Sequence, residues 1–389
     1  MLVFRFGQGL YFPFSAIHFH NILGIPLSLV GVGLASLAVA SMLSGLVSGP
    51  LTDHYGRKPV MLLALAGSSV SFFAFSLVDG FAGYLAVSIL AGLAGSAMFD
   101  AARNAMVADV TFPGRRSRAY GLVRVGGNVG WALGPMTAGL VSAAAGGDGG
   151  AYRMLFTGTS ALTAAVMVVL AFAIRESLPA SKAVARRTGS TSGLRTAVSD
   201  RAFVTLLGSG VLLYYIFTQD WQMLPVYARN FVNVPDRQIG LFLGANGVMV
   251  ILLQLPISYL IDRGSKVGAL LVGALLFAAS STTLLLTESF LGILVAFAGF
   301  FTLAEMILEV AGNSLAADLA PERLRGTYLA LFGSCFGAAY GVSPIVAGAL
   351  LQAGLPHLIW TVQLVAAALA VVGLVALATL RRRRLVTDT

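Results

Sequence analysis

Long apolar stretches separated by short polar ones make up most of the chain. A helix needs about 20 mainly apolar residues to cross the hydrocarbon core of a bilayer. Windows of this length predict an all-α polytopic membrane protein with twelve transmembrane helices, near residues 2–20, 28–50, 59–78, 82–109, 117–145, 152–174, 202–228, 238–261, 267–286, 290–317, 324–352 and 357–380. The first segment lacks a small-residue cleavage site, so we interpret it as a spanning helix rather than a signal peptide.

One long polar stretch, Arg175 to Arg201, separates the sixth segment from the seventh. Its Ser, Thr, Gly and basic residues are typical of a flexible connection. The predicted organisation is therefore an N-terminal six-helix half, a cytoplasmic linker, a C-terminal six-helix half and a basic cytoplasmic tail, with the bounds 1–175, 176–201, 202–380 and 381–389.

The composition agrees with a membrane protein, since 57% of the 389 residues are hydrophobic, 11% are charged and the mean hydropathy is +0.86. A soluble domain carries roughly 25% charged residues. The single cysteine, Cys335, excludes an internal disulfide, and four scattered histidines predict no metal site. The sequence shows no nucleophile–base pair and no phosphate-binding loop, so nothing in it indicates an enzyme.

The net charge of +9 is explained by membrane topology rather than by nucleic-acid binding. Cytoplasmic loops of membrane proteins are enriched in Lys and Arg. With both termini in the cytoplasm, only Arg153, Arg229 and Arg237 fall outside, whereas 19 of the 25 basic residues fall inside. We expect a multi-pass monomer in the cell (inner) membrane, whose partners are the lipid bilayer and small molecules.

The two predicted halves repeat at an offset of 209 residues. Matches at one offset across several helices indicate a parallel internal repeat, which is typical of transporters. The matched pairs are Asp53 and Asp262, Asp100 and Glu309, Asn104 and Asn313, Asp109 and Asp318, Pro135 and Pro344, and Gly139 and Gly348.

The turn after the second helix reads Gly-Pro-Leu-Thr-Asp-His-Tyr-Gly-Arg-Lys-Pro over residues 49–59. It resembles the G-x-L-x-D-R-x-G-R-K/R loop of the major facilitator superfamily, with His54 where Arg is common. The resemblance covers the whole chain and implies a transporter of two six-helix halves that works by alternating access. A degenerate second copy follows Leu260.

The fifth helix carries a Gly-x-x-x-Gly-Pro-x-x-x-Gly pattern at Gly130, Gly134, Pro135 and Gly139. It is similar to the antiporter motif of proton-coupled exporters, which implies the proton as coupling ion and no other cofactor. The same glycines also suit tight helix packing alone. The Arg that many such exporters carry in helix four is absent, because Ser88 occupies its position.

The resemblance implies a conformational latch formed by Gly49, Asp53, Gly56, Arg57, Lys58 and Asp109. Asp53 would face the N-terminal end of the eleventh helix, and Arg57 would reach Asp109 at the end of helix four. A carboxylate at a helix N-terminus and an Arg–carboxylate pair are both favourable. The alternative is a helix-stopping turn with ordinary surface charges.

Charges inside the fourth and fifth helices predict a buried ionic cluster of Asp100, Arg103 and Arg124, which lie at similar depth. This cluster is either a gate facing the substrate or a structural salt bridge. In the tenth helix, Glu305 and Glu309 share one face. A buried carboxyl favours its neutral form, so we predict proton coupling by Glu305, Glu309 and Asp100; alternatively, Glu309 neutralises an arginine.

Aromatic and polar residues of helices one and seven predict a substrate cavity for amphipathic compounds, lined by Asp220, Tyr214, Gln219, Tyr11 and Phe14. The alternatives are an interfacial position for Asp220 and core packing for the aromatic residues. The predicted function is proton-coupled export of small lipophilic compounds such as drugs. The alternatives are a facilitator or symporter of a nutrient such as a sugar, and a sensor that transports nothing.

Overall fold

The computed structural model describes residues 1–112, 115–177 and 191–387. This part of the chain is almost entirely helical and contains no β-strand. Residues 178–190 of the predicted linker and 388–389 of the predicted tail lie outside the described residues.

The first of two compact units comprises Met1–Arg187 and Asn233–Ile251. Within it α1 lies against α6 and α7, α3 against α5 and α7, and α2 against α4 and α5. Its helices are α1 (Leu2–Ile17, continued by a π-helical turn over His18–Ile22), α2 (Leu27–Tyr55), α3 (Arg57–Leu77), α4 (Phe81–Leu93), α5 (Ser96–Val110), α6 (Arg116–Ala144), α7 (Gly149–Ala173) and the first part of α10 (Asp236–Arg263).

The second unit comprises Thr188–Val232 and Leu252–Thr389. Within it α9 packs against α14 and α15, and α11 packs against α13 and α15. Its helices are α8 (Thr191–Ser199), α9 (Arg201–Phe231), the rest of α10, α11 (Lys266–Leu286), α12 (Phe290–Leu294), a π-helical stretch (Val295–Phe301), α13 (Thr302–Leu319), a 3-10 turn (Glu322–Leu324), α14 (Arg325–Gln352) and α15 (Pro356–Thr387).

Two predicted spans are interrupted at equivalent positions of the repeat. The fourth breaks between α4 and α5, where a side chain on Gly92 would come within 2.5 Å of the Leu37 carbonyl oxygen in α2. The tenth contains the π-helical stretch that ends at Phe301, 209 residues after Gly92. Such stretches are frequent at functional sites, and this one places Glu305 in the first turn of α13.

Ten helices of the described chain are long and apolar enough to cross a membrane. Large apolar side chains on their outer surfaces are exposed, such as Phe172 at 88% and Leu255 at 80%. In water this surface would be unfavourable, whereas hydrocarbon solvates it. The protein therefore spans the membrane several times, as its hydrophobic pattern predicts.

Candidate functional site

The turn between α2 and α3 holds a group of charges of the first unit. Gly56 has φ +99, a conformation that side chains disfavour, so glycine is needed where α2 ends and α3 begins. Arg57 Nε donates to Asp109 Oδ2 at 2.8 Å, and its Nη1 lies 3.2 Å from Asp53 Oδ1. The structure thus brings three of the predicted latch residues together, with the Asp53 side chain 75% exposed.

Glu176, which no sequence pattern indicated, binds the start of α3. The backbone N–H groups of Arg57 and Lys58 donate to its two carboxylate oxygens at 3.0 and 2.9 Å. The first N–H groups of a helix have no partner within the helix, so they attract a carboxylate. Lys58 Nζ donates to the Ala171 carbonyl oxygen at 2.6 Å. Two residues of the motif are therefore held by the end of α7 and the residues after it.

The second unit repeats the pair at the end of its own helices. Lys266 Nζ lies 2.7 Å from Asp318 Oδ2. These residues stand 209 positions after Arg57 and Asp109, so the repeat preserves the contact as well as the acid. The first pair joins the start of α3 to the end of α5, and the second pair joins the start of α11 to the end of α13.

The ionic cluster in the first unit consists of Arg5, Asp100 and Arg103. Arg5 Nη2 lies 2.5 Å from Asp100 Oδ2, and Arg103 Nη1 lies 2.6 Å from Asp100 Oδ1. Arg5 Nη1 also donates to the buried Gln8 Oε1 at 2.6 Å. One carboxylate is therefore shared by two guanidinium groups through charge-assisted contacts. The role of Asp100 in proton coupling stays a prediction.

The prediction that Arg124 is buried in this cluster is wrong. Its side chain is exposed, and Arg5 of α1 occupies the place expected for it. Counting residues along a helix gives the depth of a side chain but not the direction in which it points. The strong packing of α1 against α6 supplies that direction, and sequence alone does not contain it.

Glu309 in the second unit has a neutral partner. Tyr214 Oη donates to Glu309 Oε1 at 3.0 Å, so α9 is joined to α13. Tyr214 and Glu309 stand 209 positions after Arg5 and Asp100, and the contact is therefore the repeat equivalent of the Arg5–Asp100 pair. Glu305 lies one helical turn before Glu309 on the same face and is also half-buried.

Asp220 lies in a buried polar network of the second unit. Its side chain is fully buried, and Oδ1 accepts from Gln363 Nε2 of α15 at 2.6 Å. Ser281 Oγ of α11 donates to Gln363 Oε1 at 2.7 Å. Asp220 is therefore not at an exposed interfacial position, and Gln219 is buried beside it. Their place in a substrate cavity stays a prediction.

The aromatic residues of α1 belong to the core of the first unit. Tyr11 is buried with ring centroids 4.8 Å from Phe72 and 6.0 Å from Phe156. Phe14 is buried and lies 6.4 Å from the ring of Tyr152. These contacts agree with the alternative of core packing, and a place for the two residues in the substrate cavity stays a prediction. Tyr214 is likewise buried, although its hydroxyl reaches Glu309.

The glycine pattern of α6 brings this helix against two neighbours. A side chain on Gly130 would come within 2.5 Å of the Leu2 carbonyl oxygen, and one on Gly134 within 2.6 Å of the Phe6 carbonyl oxygen, so both glycines permit contact with α1. One on Gly139 would come within 2.5 Å of the Asp236 carbonyl oxygen in α10. The motif is therefore a packing surface throughout, with Pro135 beside Gly134.

Asp236, at the start of α10, was also missed. Its Oδ2 accepts from Ser142 Oγ at 2.5 Å and from Tyr152 Oη at 2.6 Å, and all three side chains are buried. The acid directly follows Pro235, where it looked like part of an ordinary helix start. Only the packing of α6 and α7 shows that it is enclosed.

Similar proteins were found by sequence. A family model described as the Major Facilitator Superfamily matches residues 1–235 and 221–388. A protein of Planococcus maritimus named Na(+), Li(+), K(+)/H(+) antiporter is 26% identical over 366 residues, covering 86% of this chain and 84% of that protein. Multidrug resistance protein MdtH of Yersinia enterocolitica is 27% identical over 342 residues, covering 86% and 81%.

Solved structures share the fold at low sequence identity. A point mutant of the nucleoside transporter NupG has a TM-score of 0.80 at 13% identity, covering 97% of both chains. A point mutant of the peptide transporter POT has a TM-score of 0.80 at 15% identity, covering 98% of this chain and 92% of its own. With the family match over nearly all residues, the chain belongs to the major facilitator superfamily and is a membrane transporter rather than an enzyme.

Proposed function

We propose that this protein is a proton-coupled exporter of small lipophilic or amphipathic compounds that works by alternating access. With α1 and α6 added to the ten apolar spans, the chain would have the twelve transmembrane helices that its hydrophobic pattern predicts. The distribution of Lys and Arg supports cytoplasmic termini in the cell (inner) membrane. Relatives named as a cation/H+ antiporter and as multidrug resistance proteins support export driven by protons.

One observation carries the proposal: the second unit holds acids inside its membrane spans without basic residues. Away from the helix ends, its spans contain Asp220, Glu305 and Glu309 and no Lys or Arg. A charged residue at the centre of a bilayer costs about 2.5–3.5 kcal/mol on insertion scales. Glu309 accepts from the Tyr214 hydroxyl and Asp220 accepts from the Gln363 amide. A bound proton would neutralise such an acid.

Glu305 is the proton carrier in this proposal, and Glu309 is its neighbour one turn further along α13. Their spacing places two carboxyls on one face, and a second nearby carboxyl favours protonation of the first. Substrate entry would displace the proton, and opening to the other side would restore it. The Arg57–Asp109–Asp53 group serves as the latch at the cytoplasmic ends of α2 and α5.

Dye transport in inside-out vesicles or proteoliposomes tests this function. A panel of fluorescent lipophilic dyes is offered with an imposed pH gradient, without it, and after addition of a protonophore. The proposal predicts accumulation against the dye gradient only while the pH gradient is present. Equilibration that is unaffected by the protonophore would instead indicate a facilitator, and uptake of a sugar with protons would indicate a nutrient symporter.

A further inference from the structure

The spans of the first unit carry surplus positive charge. They contain Arg5 in the first turn of α1, Arg103 in α5 and Arg124 in α6, together with the acid Asp100 in α5. A buried cation in a membrane protein is expensive and normally faces a cavity or a partner of opposite charge. Asp100 is already shared by two arginines, so one positive charge of the cluster has no counter-charge in it.

The internal repeat shows that equivalent helices can be joined without these charges. The repeat equivalents of Arg5, Arg103 and Arg124 are Tyr214, Gly312 and Gly333, and none of them is charged. The corresponding helices α9 and α13 are nevertheless joined, by a phenol bonded to Glu309. The second unit is therefore a natural control: the same architecture forms without the cations, so their presence requires another reason.

The cluster remains reachable and has spare hydrogen-bond donors. The side chains of Arg5, Arg103 and Asp100 are 17%, 15% and 27% exposed. Each guanidinium group has five N–H donors. Arg103 Nε is buried and finds no acceptor among the described residues. The Nη atoms of Arg103 donate to Asp100, Asn104 and Met1 Sδ, and Arg5 donates to Asp100 and Gln8. Donors outnumber acceptors, which is the condition for binding an anion.

We propose that Arg5 and Arg103, oriented by Asp100, form a subsite for the carboxylate of a transported amphipathic organic acid. A guanidinium group matches a carboxylate in shape and charge, and the bonds strengthen where water is partly excluded. The inference rests on the proposed transport of small compounds and adds their chemical class. It adds a negative charge to the amphipathic character expected from the aromatic and polar residues of helices one and seven.

The test is equilibrium binding of two matched probes to the purified full-length protein in detergent. Dansyl-6-aminohexanoate carries a carboxylate, and dansylcadaverine carries an amine on a chain of similar length. The wild type should bind the anionic probe about tenfold tighter or more than the cationic probe. The guanidinium groups form charge-assisted hydrogen bonds with the carboxylate, whereas they repel the amine. Equal or tighter binding of the cationic probe would overturn the proposal.

Variants with opposite charge changes separate recognition from structural damage. Arg5→Gln and Arg103→Gln should weaken anionic-probe binding about tenfold, and Arg5→Lys should retain most of it. Asp100→Asn removes the competing carboxylate and should tighten anionic binding. The matched control Arg153→Gln, at an exposed position, should change nothing. If Asp100→Asn weakens binding in parallel with Arg5→Gln, the cluster is structural and the proposal fails.

Two further arms complete the experiment. Arg5→Tyr introduces the residue that the second unit has at the equivalent position, and it shows whether the fold tolerates loss of the charge. If the arginine variants do not fold, the probe preference of the wild type and the effect of Asp100→Asn still test the proposal. Displacement of the anionic probe by phosphatidylglycerol alone, and not by organic acids, would identify a lipid headgroup site and overturn the proposal. Because binding is read without a gradient, failure of proton coupling would leave this result standing.

Discussion

The two units place different chemistry at one equivalent position. In the first unit Asp100 is held by Arg5 and Arg103, whereas in the second unit its repeat mate Glu309 is bonded by Tyr214. The acid has two charged donors in the first unit, whereas in the second unit the donor Tyr214 is a neutral phenol. The same helix contact therefore uses an ion pair in one unit and a neutral hydrogen bond in the other.

The pairs at the helix ends do not diverge in this way. Arg57–Asp109 in the first unit and Lys266–Asp318 in the second are both ion pairs, at 2.8 and 2.7 Å. Charges at the membrane face have a low free-energy cost because water and lipid headgroups solvate them. The comparison teaches that the repeat preserved its peripheral pairs and changed its membrane-embedded ones, which is where coupling and recognition are expected.

The largest effect is expected for Glu305→Gln. Loss of the proton carrier should reduce proton-driven dye export roughly a hundredfold or more, in the range by which proton-transfer groups contribute to rates. Binding of the dye should remain measurable, because the amide keeps the shape of the acid. Export is measured in proteoliposomes with a pH gradient, and the matched control Glu288→Gln alters an exposed acid. Unchanged active export by Glu305→Gln would refute the role.

The next effect contrasts Asp100→Asn with Glu309→Gln, the same kind of substitution at equivalent positions. Asp100→Asn leaves two arginines without their counter-charge, and bonds to charged groups are worth about 1.5–3 kcal/mol. We expect a drop in melting temperature of several degrees with proton coupling retained. Glu309→Gln still accepts from Tyr214, so it should keep the melting temperature and lose coupling. Thermal melting and transport assays on both variants check this. The comparison would be contradicted if Asp100→Asn lost coupling at an unchanged melting temperature and Glu309→Gln lowered the melting temperature with coupling retained.

A smaller effect is expected at the membrane-face pairs. Asp109→Asn removes the acceptor of Arg57 Nε and should slow dye export severalfold, as should Asp53→Asn, if these residues form a latch. Exposed ion pairs contribute at most about 1 kcal/mol, so the melting temperature should hardly change. Asp318→Asn, whose side chain is 43% exposed, serves as the repeat control and should change export less than Asp109→Asn. Intact export by Asp53→Asn and Asp109→Asn would rule out the latch.

The smallest effect is expected for Tyr214→Phe. It removes one neutral donor from Glu309 and keeps the ring packing against Phe332 and Phe336. A hydrogen bond of this kind contributes about 0.5–1.5 kcal/mol, so the melting temperature should fall by only a few degrees. Arg5→Gln in the first unit should lower it more. A larger loss for Tyr214→Phe than for Arg5→Gln would contradict the view that the charged Arg5–Asp100 contact contributes more to stability than the neutral Tyr214–Glu309 contact.

The sequence alone predicted the helices well because membrane spans are determined by length and hydrophobicity. The predicted segment 267–286 differs from α11 by one residue, and 324–352 differs from α14 by one. The repeat offset also anticipated which acids are equivalent. The division into domains, the coupling roles and the latch role remain predictions, since contacts alone do not reveal motion or proton transfer.

The rotation of each helix could not be predicted, and most errors at the candidate site follow from that. Arg124 has the right depth but an exposed side chain, while Arg5 near the chain start joins the cluster. Tyr11 was assigned to a cavity because an aromatic residue suits a cavity and a core equally well. Glu176 was overlooked because its partners are backbone N–H groups, which leave no mark in a side-chain pattern.

Proton release on substrate binding tests the central claim most directly. A transported dye is added to the purified protein in weakly buffered solution, and the released protons are counted with a pH indicator. We predict that the wild type and Asp100→Asn release protons, and that the double variant Glu305→Gln/Glu309→Gln releases none while still binding dye. Release that persists in the double variant and disappears in Asp100→Asn would assign coupling to the first unit and contradict this account.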